Sequence, residues 1–114
     1  MGKYILSFAA EADLEKLLDK CKYAVIAIGQ IKSNNIRVNL FNKLINIGYI
    51  LPVIKSPLAY VSKHSCIGEG TIIMHDVLVN SDTKIGKNCI INSKALVEHD
   101  CVINDNCHIS TGAV

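Results

Sequence analysis

The chain has 114 residues, half of them hydrophobic, with four Tyr, two Phe and no Trp; 12 Lys+Arg against 10 Asp+Glu give a formal net charge of +2. That length supports one small domain or two undersized pieces, and a charge so near balance, without a basic block or interleaved aromatics, excludes nucleic acid as the expected partner. The longest apolar run, Tyr23 to Ile28, is far below the roughly 18 residues a membrane span requires, so no membrane segment is expected.

Met1 to Ala10 imitates a signal peptide only faintly, because Ser7 interrupts the apolar part and Glu11 and Asp13 follow at once. Five cysteines, an odd number without clustering, read as reduced thiols of a cytoplasmic protein. From Asp13 to Cys21 the residues Leu14, Leu17, Leu18 and Cys21 recur at i, i+3, i+4 and i+7, one face of a helix. Tyr23 to Ile28 reads as a strand covered on both faces, ended by Gly29. Asn34 or Asn35 can cap a second helix, with Ile36, Leu40, Leu44 and Ile47 inward and Gly48 as its stop. Tyr49 to Ile54 reads as a further strand, weakened by Pro52. The order helix, strand, helix, strand predicts a small, incomplete α/β (Rossmann-like) unit over residues 1–55.

Residues 56–114 follow a different rule. Every sixth residue from Val61 is Val or Ile: Val61, Ile67, Ile73, Val79, Ile85, Ile91, Val97, Ile103 and Ile109. Four residues after each stands a small or modest side chain, from Ser65 and Thr71 through Cys89 and Ala95 to Ala113. Gly68, Asn80, Gly86, Asn92 and Asn104 follow five of the aliphatics, and their backbone tolerance points to tight corners there. Nine hits on one register make a hexapeptide repeat, the mark of a parallel β-helix. Each hexad forms one side of a triangular prism, so the nine supply three turns of 18 residues, stacked at about 4.8 Å. The predicted fold is therefore mainly β, a three-turn parallel β-helix behind the α/β unit.

The last hexad position faces outward, yet it holds Ile72, Leu78, Ile90, Leu96, Val102 and Val114. Exposed aliphatic ladders imply a partner surface, and a homotrimer packing prism against prism is expected. Cys89, Cys101 and Cys107 fall on the small inward position and read as core. His64 and His75 have no distinctive context. His99 stands between Glu98 and Asp100, either of which could fix its tautomer and raise its basicity for general-base work; a solvated surface histidine is the competing reading. Zinc between subunits finds no support in the spacing of His75, His99 and His108, so no metal is expected.

The run Asn92 to Ile103, containing Glu98-His99-Asp100-Cys101, together with Cys107-His108-Ile109-Ser110, Ala27-Ile28-Gly29, Asn35-Ile36-Arg37, Gly48-Tyr49 and Pro57-Leu58-Ala59, closely resembles a known family. It is that of the hexapeptide-repeat sugar acetyltransferases, in the sialic acid O-acetyltransferase and UDP-N-acetylbacillosamine N-acetyltransferase group. The resemblance implies a left-handed prism and acetyl transfer from acetyl-CoA to an amino or hydroxyl group of a nucleotide-linked or acidic sugar. It also implies roles: His99 as general base, Asp100 as the acid that raises its basicity, His108 as an acetyl-CoA contact and Gly29 near the sugar nucleotide. In such proteins the active site lies between subunits. The chain departs from the pattern by Lys55, where a histidine is usual, and lacks the glycine-rich loop and later turns. The expectation is the middle of a longer protein, truncated at both ends, and the competing function is a non-catalytic trimeric assembly module.

Overall fold

The computed structural model describes Leu18, residues 22–26 and residues 35–114, which divide into two compact units, Met1–Pro52 and Val53–Val114. The helix expected over Asp13 to Cys21 lies outside the described residues apart from Leu18, and Gly29 lies outside them too.

In the first unit, helix α1 spans Asn35–Ile47. Its end is a Schellman closure at Gly48 (φ +119°): the Gly48 N–H donates to Ile45 O at 3.1 Å and the Tyr49 N–H to Leu44 O at 3.0 Å. The chain then runs beside Tyr23, with Tyr23 and Ile50 in a parallel bridge, Ala24 N–H donating to Ile50 O and Ile50 N–H to Lys22 O. Two parallel segments joined through a helix make a βαβ crossover reduced to one bridge. The core is Ala24, Ile26, Phe41, Leu44, Tyr49 and Leu51, with Leu40 and Ile47 packed beside it.

Two expectations for this unit need correction. Ile36 does not face inward: it is 68% exposed, while Arg37 is 1% exposed and donates from its guanidinium to Ile26 O at 3.0 Å. At 3.6 residues per turn Ile36 lies about 80° around the helix from Leu44, whereas Arg37 lies only about 20° away. Nor do Tyr49 to Ile54 form one strand. Ile50 makes the bridge, and Ile54 already belongs to the prism.

The second unit is a stack of two-residue strands: β1 Ile54–Lys55, β2 Tyr60–Val61, β3 Cys66–Ile67, β4 Ile72–Ile73, β5 Leu78–Val79, β6 Lys84–Ile85, β7 Ile90–Ile91, β8 Leu96–Val97, β9 Val102–Ile103 and β10 His108–Ile109. Every third strand pairs in parallel, giving sheets β1-β4-β7-β10, β2-β5-β8 and β3-β6-β9. Register is 18 residues throughout, as in Ile73 opposite Ile91 and Val79 opposite Val97. This is the left-handed parallel β-helix of about three turns. One extra side precedes Val61, because Ile54–Lys55 pair with Ile72–Ile73; the exposed Lys55 occupies what would be its aliphatic position and so hides that side from the Val/Ile pattern.

Both inward positions fill the interior. Ile73, Val79, Ile85, Ile91 and Val97 are buried together with the small residues Val77, Cys89 and Ala95. Thr71 and Thr83 are equally buried; their hydroxyls donate to Gly86 O (2.7 Å) and Glu98 O (2.9 Å), and Thr71 Oγ1 also accepts the Cys89 N–H. A threonine replaces an aliphatic here without leaving an unpaired polar group.

The corners differ from expectation. Left-handed backbone falls three residues after each aliphatic from Ile67 onward, at Gly70, Asp76, Asp82, Asn88, Lys94, Asp100, Asn106 and Gly112. Gly68 and Gly86 serve close approach instead. A Cβ on Gly68 would lie 2.6 Å from Gly86 C, and one on Gly86 would lie 2.7 Å from Asp105 N. The ladders also differ: Ile90 is 8% exposed, whereas Leu78 (39%), Val102 (68%) and Val114 (93%) are open and Tyr60 (61%) extends the second sheet's row.

Candidate active site

His99 and Asp100 occupy the corner after β8, where the chain turns from the second sheet to the third. Asp100 adopts φ +62°, and its N–H donates to Ser81 O one coil earlier at 3.1 Å. Its carboxylate Oδ2 stands 2.9 Å from His99 Nδ1. The proton of a neutral ring therefore sits on Nδ1, which leaves Nε2 as the basic nitrogen. The hydrogen bond to Asp100 and then its charge hold the imidazole above its ordinary value, helped by Glu98 and by Asp82 from the coil beneath. Both side chains are open to solvent, 66% and 71% exposed. A basic nitrogen, oriented by a carboxylate and presented at a surface, can take a proton from an approaching amine or hydroxyl.

His108 begins β10, stacked on Ile90 in the first sheet, and its Nε2 lies 3.4 Å from Asn92 Nδ2. In a three-sided prism the corner joining the second and third sides stands opposite the first. The fold thus joins His99 to Asp100 and puts His108 on the far face of the same chain. The other two histidines are elsewhere: His75 Nδ1 pairs with Ser56 Oγ across one coil, and the His64 N–H donates to Ser62 Oγ. The sequence marks Asn92 only as a corner residue; its contact with His108 links positions 16 apart, a diagonal between neighbouring coils beside the 18-residue pair of His108 and Ile90.

Among the described residues, Cys66, Cys89, Cys101 and Cys107 are free thiols. Burial pushes the Cys89 thiol up, and its Sγ donates to Asn104 O at 3.1 Å, which suits a core position. No group of three metal-ligating side chains occurs among the described residues, and no helix among them is long and apolar enough to cross a membrane. Two cavities among the described residues lie apart from His99 and His108. One of about 800 Å³ runs beside α1, lined by Leu18, Asn39, Asn42, Lys43, Asn46 and Ile47; one of about 370 Å³ opens at the β1–β3 end of the prism.

Coils of 18 residues built from hexads define the class, the hexapeptide-repeat proteins. Residues 64–98 and 82–114 match the family model for bacterial transferase hexapeptide (six repeats), and the chain belongs to that hexapeptide-repeat family. No curated protein matches it. Among solved structures it is similar to PerB from Caulobacter crescentus in complex with CoA and GDP-perosamine. Identity there is 35% and the TM-score 0.80, over 85% of this chain and 46% of that one. It is also similar to the acetyltransferase domain of PglB from Neisseria gonorrhoeae in complex with acetyl coenzyme A, at 30% identity and TM-score 0.84, over 92% of this chain and 50% of that one. The chain thus spans about half the length of these structures.

Proposed function

We propose that the chain carries the catalytic corner of an acetyl-CoA-dependent sugar acetyltransferase. The acceptor is an amino or hydroxyl group of a nucleotide-linked or acidic sugar, and the working form is a cytoplasmic homotrimer. One observation carries the reading: a solvent-facing His99 held through Nδ1 by Asp100, on the architecture of PerB bound to CoA and of the PglB acetyltransferase domain bound to acetyl coenzyme A. In the proposed step His99 Nε2 takes the proton of the acceptor as that atom bonds to the acetyl carbonyl carbon. The carbon–sulfur bond then breaks, and the departing sulfur takes the proton from His99 Nε2, so that CoA leaves as its thiol and the ring is neutral again.

The opposed placement of His99 and His108 supports a site assembled from two copies, one giving His99 and the next His108. The stacked row of exposed Tyr60, exposed Leu78 and half-buried Leu96 supplies apolar surface for such contact. His108 as an acetyl-CoA contact and Gly29 as a sugar-nucleotide contact enter through the resemblance. Thiol release from acetyl-CoA with a nucleotide-linked amino sugar is expected to fall by about 10²–10⁴ in His99→Ala. Equal rates in both proteins would refute the base assignment, and an inactive wild type that still forms trimers would favour the assembly module.

A further inference from the structure

Asn92 follows the inward Ile91 and opens the corner between the first and second sheets. Its carboxamide is committed at both ends. Oδ1 accepts the Ser93 N–H at 2.9 Å, the same bond that Asn80 Oδ1 makes with the Ser81 N–H two sides earlier. With the oxygen so engaged, the amide nitrogen is the end that faces His108, 3.4 Å from Nε2. An amide NH₂ can only donate, so the ring nitrogen opposite it must accept. A neutral imidazole has one donor and one acceptor, and the proton then belongs on Nδ1. At 3.4 Å the bond is long, but the choice of tautomer needs only that the alternative would set two N–H groups against each other.

We infer that Asn92 is a positioning residue that holds His108 in its Nδ1–H tautomer, so that the exposed ring offers a hydrogen-bond donor to an incoming ligand. This rests on the reading of His108 as an acetyl-CoA contact for the ligand's identity, though not for the tautomer itself. The chemical group it fits is a carbonyl oxygen, supplied in acetyl-CoA by the thioester or by the amides of its arm. A ring in the other tautomer would meet that oxygen lone pair to lone pair.

Long-range ¹H–¹⁵N correlation of the labelled protein at about pH 8, above the ordinary histidine range, reports which ring nitrogen bears the proton. His108, assigned by the signals lost in His108→Gln, is expected to show Nδ1–H. Asn92→Asp keeps an oxygen for the Ser93 N–H but replaces the facing donor by an acceptor, and the pattern is expected to invert to Nε2–H. A wild-type ring carrying its proton on Nε2, or a pattern unchanged in Asn92→Asp, overturns the inference; the wild-type spectrum decides alone if the variant does not fold. Calorimetric titration with acetyl-CoA, which carries both the thioester and the arm amides, separates the two readings. Binding about tenfold weaker in Asn92→Asp, the size of one unmet hydrogen bond, supports the donor role, and unchanged binding overturns it. An Nδ1–H ring on a chain that binds no acetyl-CoA upholds the tautomer and removes the acetyl-CoA assignment of His108.

Discussion

Two isoleucines separate the regions of this molecule. Ile91 in the prism is completely buried, whereas Ile36 at the head of α1 is 68% exposed. Ile91 is held by strands above and below, opposite Ile73 on one side and Ile109 on the other, so its inward direction is set by two ladders of backbone hydrogen bonds. Ile36 has one helix to orient it, and there the direction of a side chain is fixed by turning about 100° per residue. A small error in where the core lies on the helix moves a terminal residue from inside to outside. The prism makes the same choice in every side, and neighbouring sides correct one another.

The largest expected effect tests that contrast. Ile91→Ala should destabilise the prism by about 2–5 kcal/mol, since the cavity is closed on every side. Ile36→Ala should stay within about 0.5 kcal/mol, as for most surface changes. Urea unfolding followed by circular dichroism measures both, and comparable losses would abolish the distinction drawn between the two regions.

The same redundancy explains what was legible in the sequence. Three sheets, 18-residue register and the inward row follow from Val61 to Ile109 without knowledge of any contact. The first side escaped because Lys55 stands in its aliphatic place. The corner geometry is hidden because Gly68 and Gly86 resemble turn glycines, while the residues that turn left-handed are mostly Asp, Asn and Lys. Asp and Asn tolerate that region through local hydrogen bonding; Lys94 carries no such signal. Arg37 was invisible as a core residue because charged side chains are seldom buried unless paired, and its acceptor, Ile26 O, lies in a different segment. At the site, the neighbours Glu98, His99 and Asp100 announce themselves. Asn92 and His108 do not, since only coil stacking brings them together.

Gly86 offers an intermediate test. Its hypothetical Cβ meets backbone of the next coil, which cannot swing away as a side-chain tip could. Gly86→Ala should cost about 1–3 kcal/mol, the range for overpacking. Gly112 has nothing within 4 Å of its Cβ position but φ +71°, so Gly112→Ala bears only the left-handed penalty, about 1 kcal/mol. If the ranking of melting temperatures were reversed, close approach would not be the reason for glycine at position 86.

The smallest effect concerns His99, where the electrostatics are exposed. Its imidazole is held above the ordinary value of 6.5, first by the hydrogen bond to Asp100 and then by that carboxylate's charge. Because the folded state binds the proton more tightly, the associated stabilisation is full below the unfolded value and disappears as pH rises through the raised folded one. Solvent screening keeps this contribution too small for an unfolding curve to resolve, so the measurement belongs on the ring itself. An NMR titration should place the His99 midpoint above 6.5, and Asp100→Asn should bring it down toward that value. The Glu98→Gln change should be smaller, because Glu98 acts through charge alone. If His99 is the base, its neutral form is the active one, and the rate should rise with pH at a lower pH in Asp100→Asn than in the wild type. Coincident midpoints in the three proteins would show that Asp100 orients the ring without tuning it.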